Sequence, residues 1–181
     1  MKVIKIQKSK IYFENNVCFS IPKNKIKELN LTEGKCLENK LYLEILKESA
    51  LSFSYWLLTK RDYSIKELRI KLLTKYKEPT IISDIISLLN DRCYLDDSRF
   101  AKGFINTHTN WGRKKLEYFL ALKGVDESII TNLLNENNPH EFEEIKKKWL
   151  QMKDKDDYKK IQSLMRKGFE YQNIKKVIDE L

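Results

Sequence analysis

Asp96 and Asp97 are the residues of this 181-residue chain that most invite a chemical reading, because adjacent carboxylates can act as an acid–base pair. No base, nucleophile or ligand cluster accompanies them. They stand immediately before Phe100, Ala101, Phe104 and Ile105, an apolar run at helical spacing. An aspartate in that place accepts the free amides of a first helical turn, and a second one favours the positive end of the helix dipole. We therefore read the pair as a helix start. His108 and His140 are isolated, so neither is placed for metal binding. Cys18, Cys36 and Cys93 are odd in number and form no CxxC unit, which fits a reducing cytosol better than a disulfide framework. No GxxxxGK or GxGxxG phosphate loop occurs. The sequence predicts no enzyme, no cofactor and no metal.

What remains for function is basic and aromatic. Arg113, Lys114 and Lys115 follow Gly112 at a helix start, where cations oppose the dipole, and Trp111 precedes them. Upstream lie Arg61, Tyr63, Lys66, Arg69 and Lys71; on a helix, Lys66 and Arg69 share a face. Lys146, Lys147 and Lys148 make a denser run, but Glu141, Glu143 and Glu144 precede it, a pattern of an ion-paired exposed helix. The net charge of +9 is spread thinly, with ten cations against six anions over 1–48, eight against five over 49–95, six against six over 96–138 and eleven against nine over 139–181. A protein that grips bare duplex usually concentrates its charge, so the balance favours an acidic partner without singling out nucleic acid.

The elements that must position these residues follow from periodicity. Five Gly and three Pro in the whole chain favour helices joined by short connections. Residues 1–21 are the β material: Val3–Ile6, Ile11–Phe13 and Val17–Ile21, with a hairpin turn at Glu14-Asn15-Asn16. Strands so short must pack on something else. Pro22 opens a brief helical turn to Leu29. From Glu38 the period becomes helical: a long helix ends near Arg61, its stripe running through Ala50, Phe53, Trp56 and Leu57. Ser64 with Glu67 is a capping box for a helix reaching Tyr76, and Pro79 starts another. No charged leader followed by an apolar run, and no stretch of 18 apolar residues, predicts a cytoplasmic protein without a membrane span.

A shift of 48 positions superimposes one helical triplet on the next. Phe104 falls on Trp56, Leu116 on Leu68, Leu120 on Leu72 and Lys123 on Lys75; Gly112 falls on Ser64 and Trp111 on Tyr63. A further shift of 44 places Leu164 on Leu120 and Lys167-Gly168 on Lys123-Gly124, while Lys160 replaces Leu116. The sequence thus predicts a mainly α protein of three tandem three-helix repeats in an elongated curved row: a β-rich segment over 1–37, then repeats over 38–95, 96–138 and 139–181. Trp56, Phe100, Phe104 and Trp149 are expected in the cores, whereas Trp111 and Tyr63 are expected to be partly exposed and available to a partner.

YLDDSRFAKGF followed by WGRKKLEYFLALKGV, from Tyr94 to Val125, resembles the RecX family of recombination regulators in its LDD-x-x-FA helix start, Gly-basic helix opening and L-x-x-KG ending. Ser64-Ile65-Lys66-Glu67-Leu68 with Lys71-Leu72 resembles the family's S-x-x-E-L-x-x-K-L segment. Cys93-Tyr94 stands where the family often has glycine, Thr107 to Asn110 where it favours cations, and Tyr76 where a glycine is expected. The resemblance implies a monomeric, non-enzymatic modulator that binds the RecA–single-stranded DNA nucleoprotein filament and impedes ATP hydrolysis, strand exchange and co-protease activity. The alternative is a helical module that contacts DNA directly without RecA. The candidate contacts are Arg61, Tyr63, Lys66, Arg69, Trp111, Arg113, Lys114 and Lys115.

Overall fold

The structure, a computed structural model, describes residues 1–136, 138–153 and 156–181, with the backbone alone for 138 and 139. Three antiparallel strands, β1 (Val3–Gln7), β2 (Lys10–Phe13) and β3 (Cys18–Ser20), form one sheet in that order. Its turn residue Asn16 has φ 60°, and Asn15 Oδ1 accepts from Val17 N at 3.2 Å. Asparagine does both cheaply, which is why Glu14-Asn15-Asn16 reads as a hairpin. Among the described residues ten helices follow: α1 (Lys23–Glu28), α2 (Asn39–Leu58), α3 (Ile65–Tyr76), α4 (Pro79–Asp91), α5 (Asp97–Thr107), α6 (Arg113–Leu122), α7 (Glu127–Glu136), α8 (Asn138–Gln151), α9 (Asp157–Arg166) and α10 (Tyr171–Asp179).

The chain divides into two compact units, Met1–Leu95 and Asp96–Leu181. In the first, the sheet and α2–α4 share one core. Alternate strand residues Ile11, Phe13 and Phe19 are buried, and the Phe13 and Phe19 rings meet Tyr42 of α2 at 5.2 and 5.3 Å. Phe19 also lies 5.9 Å from Tyr76 of α3. Ser49 Oγ accepts from Ser20 N at 3.1 Å and bonds the Tyr76 hydroxyl, which donates to the Ser49 carbonyl at 3.0 Å. One serine side chain and a phenol therefore tie sheet, α2 and α3 together, and no buried side-chain nitrogen or oxygen is left without a partner among the described residues. Burial pushes the Tyr76 phenol up to about 12.

The helix starts are capped by side chains. Ser64 Oγ accepts from Glu67 N at 3.1 Å, and Asp96 Oδ1 from Ser98 N and Arg99 N at 2.8 and 3.0 Å. Asp126 and Asp156, not singled out in the sequence, cap α7 and α9 through Ser128 N and Lys159 N, each at 2.8 Å. Gly124 and Gly168 stop α6 and α9 in the left-handed region, at φ 81° and 89°. In α3 the corresponding residue is Tyr76, which stays helical because it is a core residue; the left-handed turn falls on Lys77 instead, at φ 59°.

One core assignment is corrected. Trp56 is 54% exposed. The buried positions of α2 are Tyr42, Ile45, Leu46, Ser49, Ala50, Ser54 and Leu57, at i, i+3, i+4 spacing, and Trp56, in the last turn of the helix, is not among them. Its ring stacks on Phe53 instead, at 5.8 Å and 15°. Phe100 and Trp149 are buried as expected, and Phe104 is half-buried. In the second unit α5–α7 close around Leu116, Leu120, Ile130 and Leu134, and α8–α10 around Ile145, Trp149, Leu164, Phe169 and Ile174.

Candidate partner-binding surface

Gly112 begins α6 with no side chain to cap it. The cap comes from elsewhere in the second unit. Gly112 N donates to Lys167 O at 2.9 Å, Lys114 N to Gly168 O at 3.0 Å, and Arg113 N to Glu141 Oε1 at 3.1 Å. The amides that a helix start leaves open are filled by the turn after α9 and by a carboxylate of α8. Burial raises the pKa of Glu141, and the bond from Arg113 N opposes that shift. A β-carbon at Gly112 would lie 2.1 Å from Phe169 N, so glycine here permits backbone to touch backbone. The sequence places Gly112 at a helix start; the structure also makes it a tight contact between the second and third helical triplets.

The cations after it divide their tasks. Arg113 is drawn inward: Nε donates to Glu117 Oε1 at 2.8 Å and Nη1 to Asn135 Oδ1 at 2.9 Å, joining α6 to α7. Lys114 is exposed. Lys115 Nζ sits 4.2 Å over the Trp111 ring. Trp111 is half-buried among His108, Phe119 and Phe104, at 4.3, 4.9 and 6.0 Å.

The first unit repeats the device with a correction. Tyr63, expected to be partly exposed, is 8% exposed: it belongs to the core of the first unit, and Arg61 lies 3.7 Å over its ring. Arg61 also reaches Glu67 Oε2 at 3.2 Å and the Asp62 carbonyl at 2.9 Å. Tyr63 and Trp111, equivalent in the repeat, thus each carry a cation. Lys66 and Arg69 lie three residues apart on α3; Lys66 is exposed, while Arg69 bonds Ser83 Oγ of α4 at 2.9 Å. A second recurrence was not singled out in the sequence. Lys75 Nζ lies 3.6 Å over Phe53, and its repeat partner Lys123 lies 5.6 Å over Phe104. The superposition of Lys123 on Lys75 was the available signal.

Residues 96–134 match the model of the RecX second three-helix domain. Along nearly the whole chain the sequence is 30% identical to the regulatory protein RecX of Clostridioides difficile (strain 630), over 94% of this chain and 88% of the relative. The chain belongs to the RecX family. The regulatory protein RecX of Caldanaerobacter subterraneus subsp. tengcongensis is 26% identical over 98% of this chain and 97% of its own length. Two solved structures share the fold: a crystal structure of regulatory protein RecX, with TM-score 0.69 and 19% identity over 99% of this chain and 97% of that one; and RecX from Lactobacillus salivarius, with TM-score 0.67 and 24% identity over 75% and 96%.

Within this RecX chain the remaining candidates for chemistry have structural roles. Asp96 is a cap, as expected. Glu144 takes both Lys147 and Lys148, at 3.5 and 3.2 Å, which makes the lysine run of α8 the ion-paired helix its sequence predicts. Lys160, the odd residue of the third triplet, lies 4.6 Å over Trp149 and bonds Asp157 at 3.2 Å, so its stem takes the place of the missing leucine. Among the described residues no helix is long and apolar enough to cross a membrane, and no group of three or more His, Cys, Asp or Glu could hold a metal ion.

Proposed function

We propose that this protein binds the RecA–single-stranded DNA filament and lowers its recombinase, ATPase and co-protease activities in recombination and DNA repair. The observation that carries the reading is the near full-length similarity to proteins named regulatory protein RecX. Repeat-equivalent cation–aromatic pairs, Arg61 on Tyr63 and Lys115 on Trp111, support it, since they offer similar contacts at two places along one chain. In this reading a β-rich segment over 1–37 leads into modules over 38–95, 96–138 and 139–181. A monomer of that kind gains affinity from several weak contacts through effective concentration. Arg61, Lys66, Lys114, Lys115 and Trp111 touch the partner, and Arg69, Arg113 and Tyr63 hold them in place. No catalytic step is assigned to the protein.

The test is RecA ATPase on single-stranded DNA titrated with the full chain. Turnover should fall as the ratio to RecA rises, and a flat response at stoichiometric ratios refutes inhibition. Binding to the filament should also exceed binding to the same DNA alone at one ionic strength. Equal binding that collapses steeply with salt supports direct DNA contact instead.

A further inference from the structure

We infer that the first unit carries a docking groove for an acidic segment of a protein partner with an apolar residue beside its carboxylates, formed by Phe53, Arg61, Tyr63, Ile70, Lys71 and Lys75. The inference rests on the filament-binding reading and assigns part of that contact to protein rather than DNA. These six residues line one open depression between the end of α2 and the outer face of α3. Its charge is unbalanced. Among the described residues, Lys75 has no carboxylate within salt-bridge distance. It rests on Phe53 at 3.6 Å and lies 5.4 Å from the Tyr76 ring. Burial lowers its pKa; Cys18 opposes that shift, and the charge of Lys10 on β2 adds to it. The groove's carboxylate, Glu67, is already engaged by Arg61 at 3.2 Å. The Phe53 ring offsets part of the hydration this half-buried ammonium has lost, and an incoming carboxylate would add the charge partner it lacks.

The floor decides which anion. Stacking of nucleic-acid bases needs open ring faces. Here Arg61 covers Tyr63 at 3.7 Å and Lys75 covers Phe53 at 3.6 Å. Trp56 at the rim has one face against Phe53 and Lys60 at 5.7 Å from its ring. Among the residues that line the groove itself, the open apolar surface is aliphatic, with Ile70 53% exposed. Cations around an aliphatic floor suit carboxylates flanking a leucine-like side chain.

The test measures binding of the full chain, Lys75→Met and Lys71→Glu to three probes: the RecA–single-stranded DNA filament, the same DNA alone, and a short labelled peptide of alternating glutamate and leucine. Lys75→Met keeps the stem on Phe53 and removes only the charge, so both variants should melt within a few degrees of wild type. Each should lose about tenfold or more in affinity for peptide and filament, tenfold being about 1.4 kcal/mol, with DNA binding unchanged. Wild-type binding to a lysine–leucine peptide of equal length, or variants that hold filament and glutamate peptide like wild type, overturns the groove. So does loss of DNA and filament binding in parallel without any peptide binding, which makes the groove a nucleic-acid contact. A wild-type chain that takes the peptide but ignores the filament refutes the filament reading and leaves the groove standing on its own.

Discussion

Replacing Gly112 by alanine should separate the second and third helical triplets. The added methyl would meet Phe169 N at 2.1 Å, the Gly168 carbonyl carbon at 2.3 Å and Phe169 Cα at 2.4 Å, all of them backbone atoms that no rotamer change can move aside. Non-bonded carbon contacts settle near ~3.5–4 Å, so the turn after α9 must retreat by more than ~1 Å. That retreat breaks Gly112 N to Lys167 O and Lys114 N to Gly168 O, now 2.9 and 3.0 Å. Each bond is worth about 1 kcal/mol net, and burying a donor left unpaired adds to the loss. Alanine is also the poorer residue at a helix N-cap. A total of about 2–4 kcal/mol is expected, read as a lower urea midpoint by tryptophan fluorescence, with Trp149 in the third core reporting directly. Gly103→Ala is the matched control: it lies within α5 with nothing within 4 Å of a new methyl, and should stabilise by about 0.5–1 kcal/mol. If Gly112→Ala unfolds at the wild-type midpoint, the close backbone contact is not what holds these triplets together.

Further outcomes follow from single side chains. Tyr76 has a folded pKa of about 12 against an ordinary 10.0, so its contribution is present below pH 10 and is lost as pH rises toward 12; the shift corresponds to about 2–3 kcal/mol. Tyr76→Phe should be less stable at pH 7 yet decline less between pH 10 and 12, and parallel pH profiles for the two proteins would contradict this. Asp96→Ala should cost about 1 kcal/mol in thermal melts and leave RecA regulation intact below the melting range, whereas Asp96→Asn should be nearly neutral. Loss of regulation by a folded Asp96→Asn protein would reopen a chemical role for the acidic pair. Burial raises the Glu141 pKa, so its ionisation costs stability as pH rises through the folded value. Glu141→Gln keeps an acceptor for Arg113 N and should flatten that dependence in melts from pH 4 to 7, while an unchanged slope would rule Glu141 out as its source.

Helix starts and repeat positions were legible because they depend on local chemistry. Ser64 and Asp96 cap the backbone within three residues, and Leu68, Leu72, Leu116 and Leu120 repeat their burial after 48 positions. Failures came where a tertiary partner set the outcome. Trp56 counted as core by hydrophobicity, but small, polar Ser49 and Ser54 hold the buried face of α2 through hydrogen bonds that composition does not reveal. Tyr63 loses its exposure to the core of the first unit, and Gly112 owes its identity to Phe169, far along the chain. The cation-on-ring pairs were half visible. Their positions recur in the sequence, but which charge bends onto which ring depends on loop geometry.

The hydrogen bonds joining Ser20, Ser49 and Tyr76 also set an order of events during synthesis. The strands are complete once Ser20 has been made, yet the rings that cover them belong to Tyr42 and Tyr76, 22 and 56 residues later. At about 5–20 residues per second the strands wait roughly 3–11 s for Tyr76. Through that interval Phe13 and Phe19 have each other and, later, Tyr42, but the cover from α3 is missing, so the strands are the natural client for a ribosome-associated chaperone, and codons that slow translation between α2 and α3 would prolong their exposure.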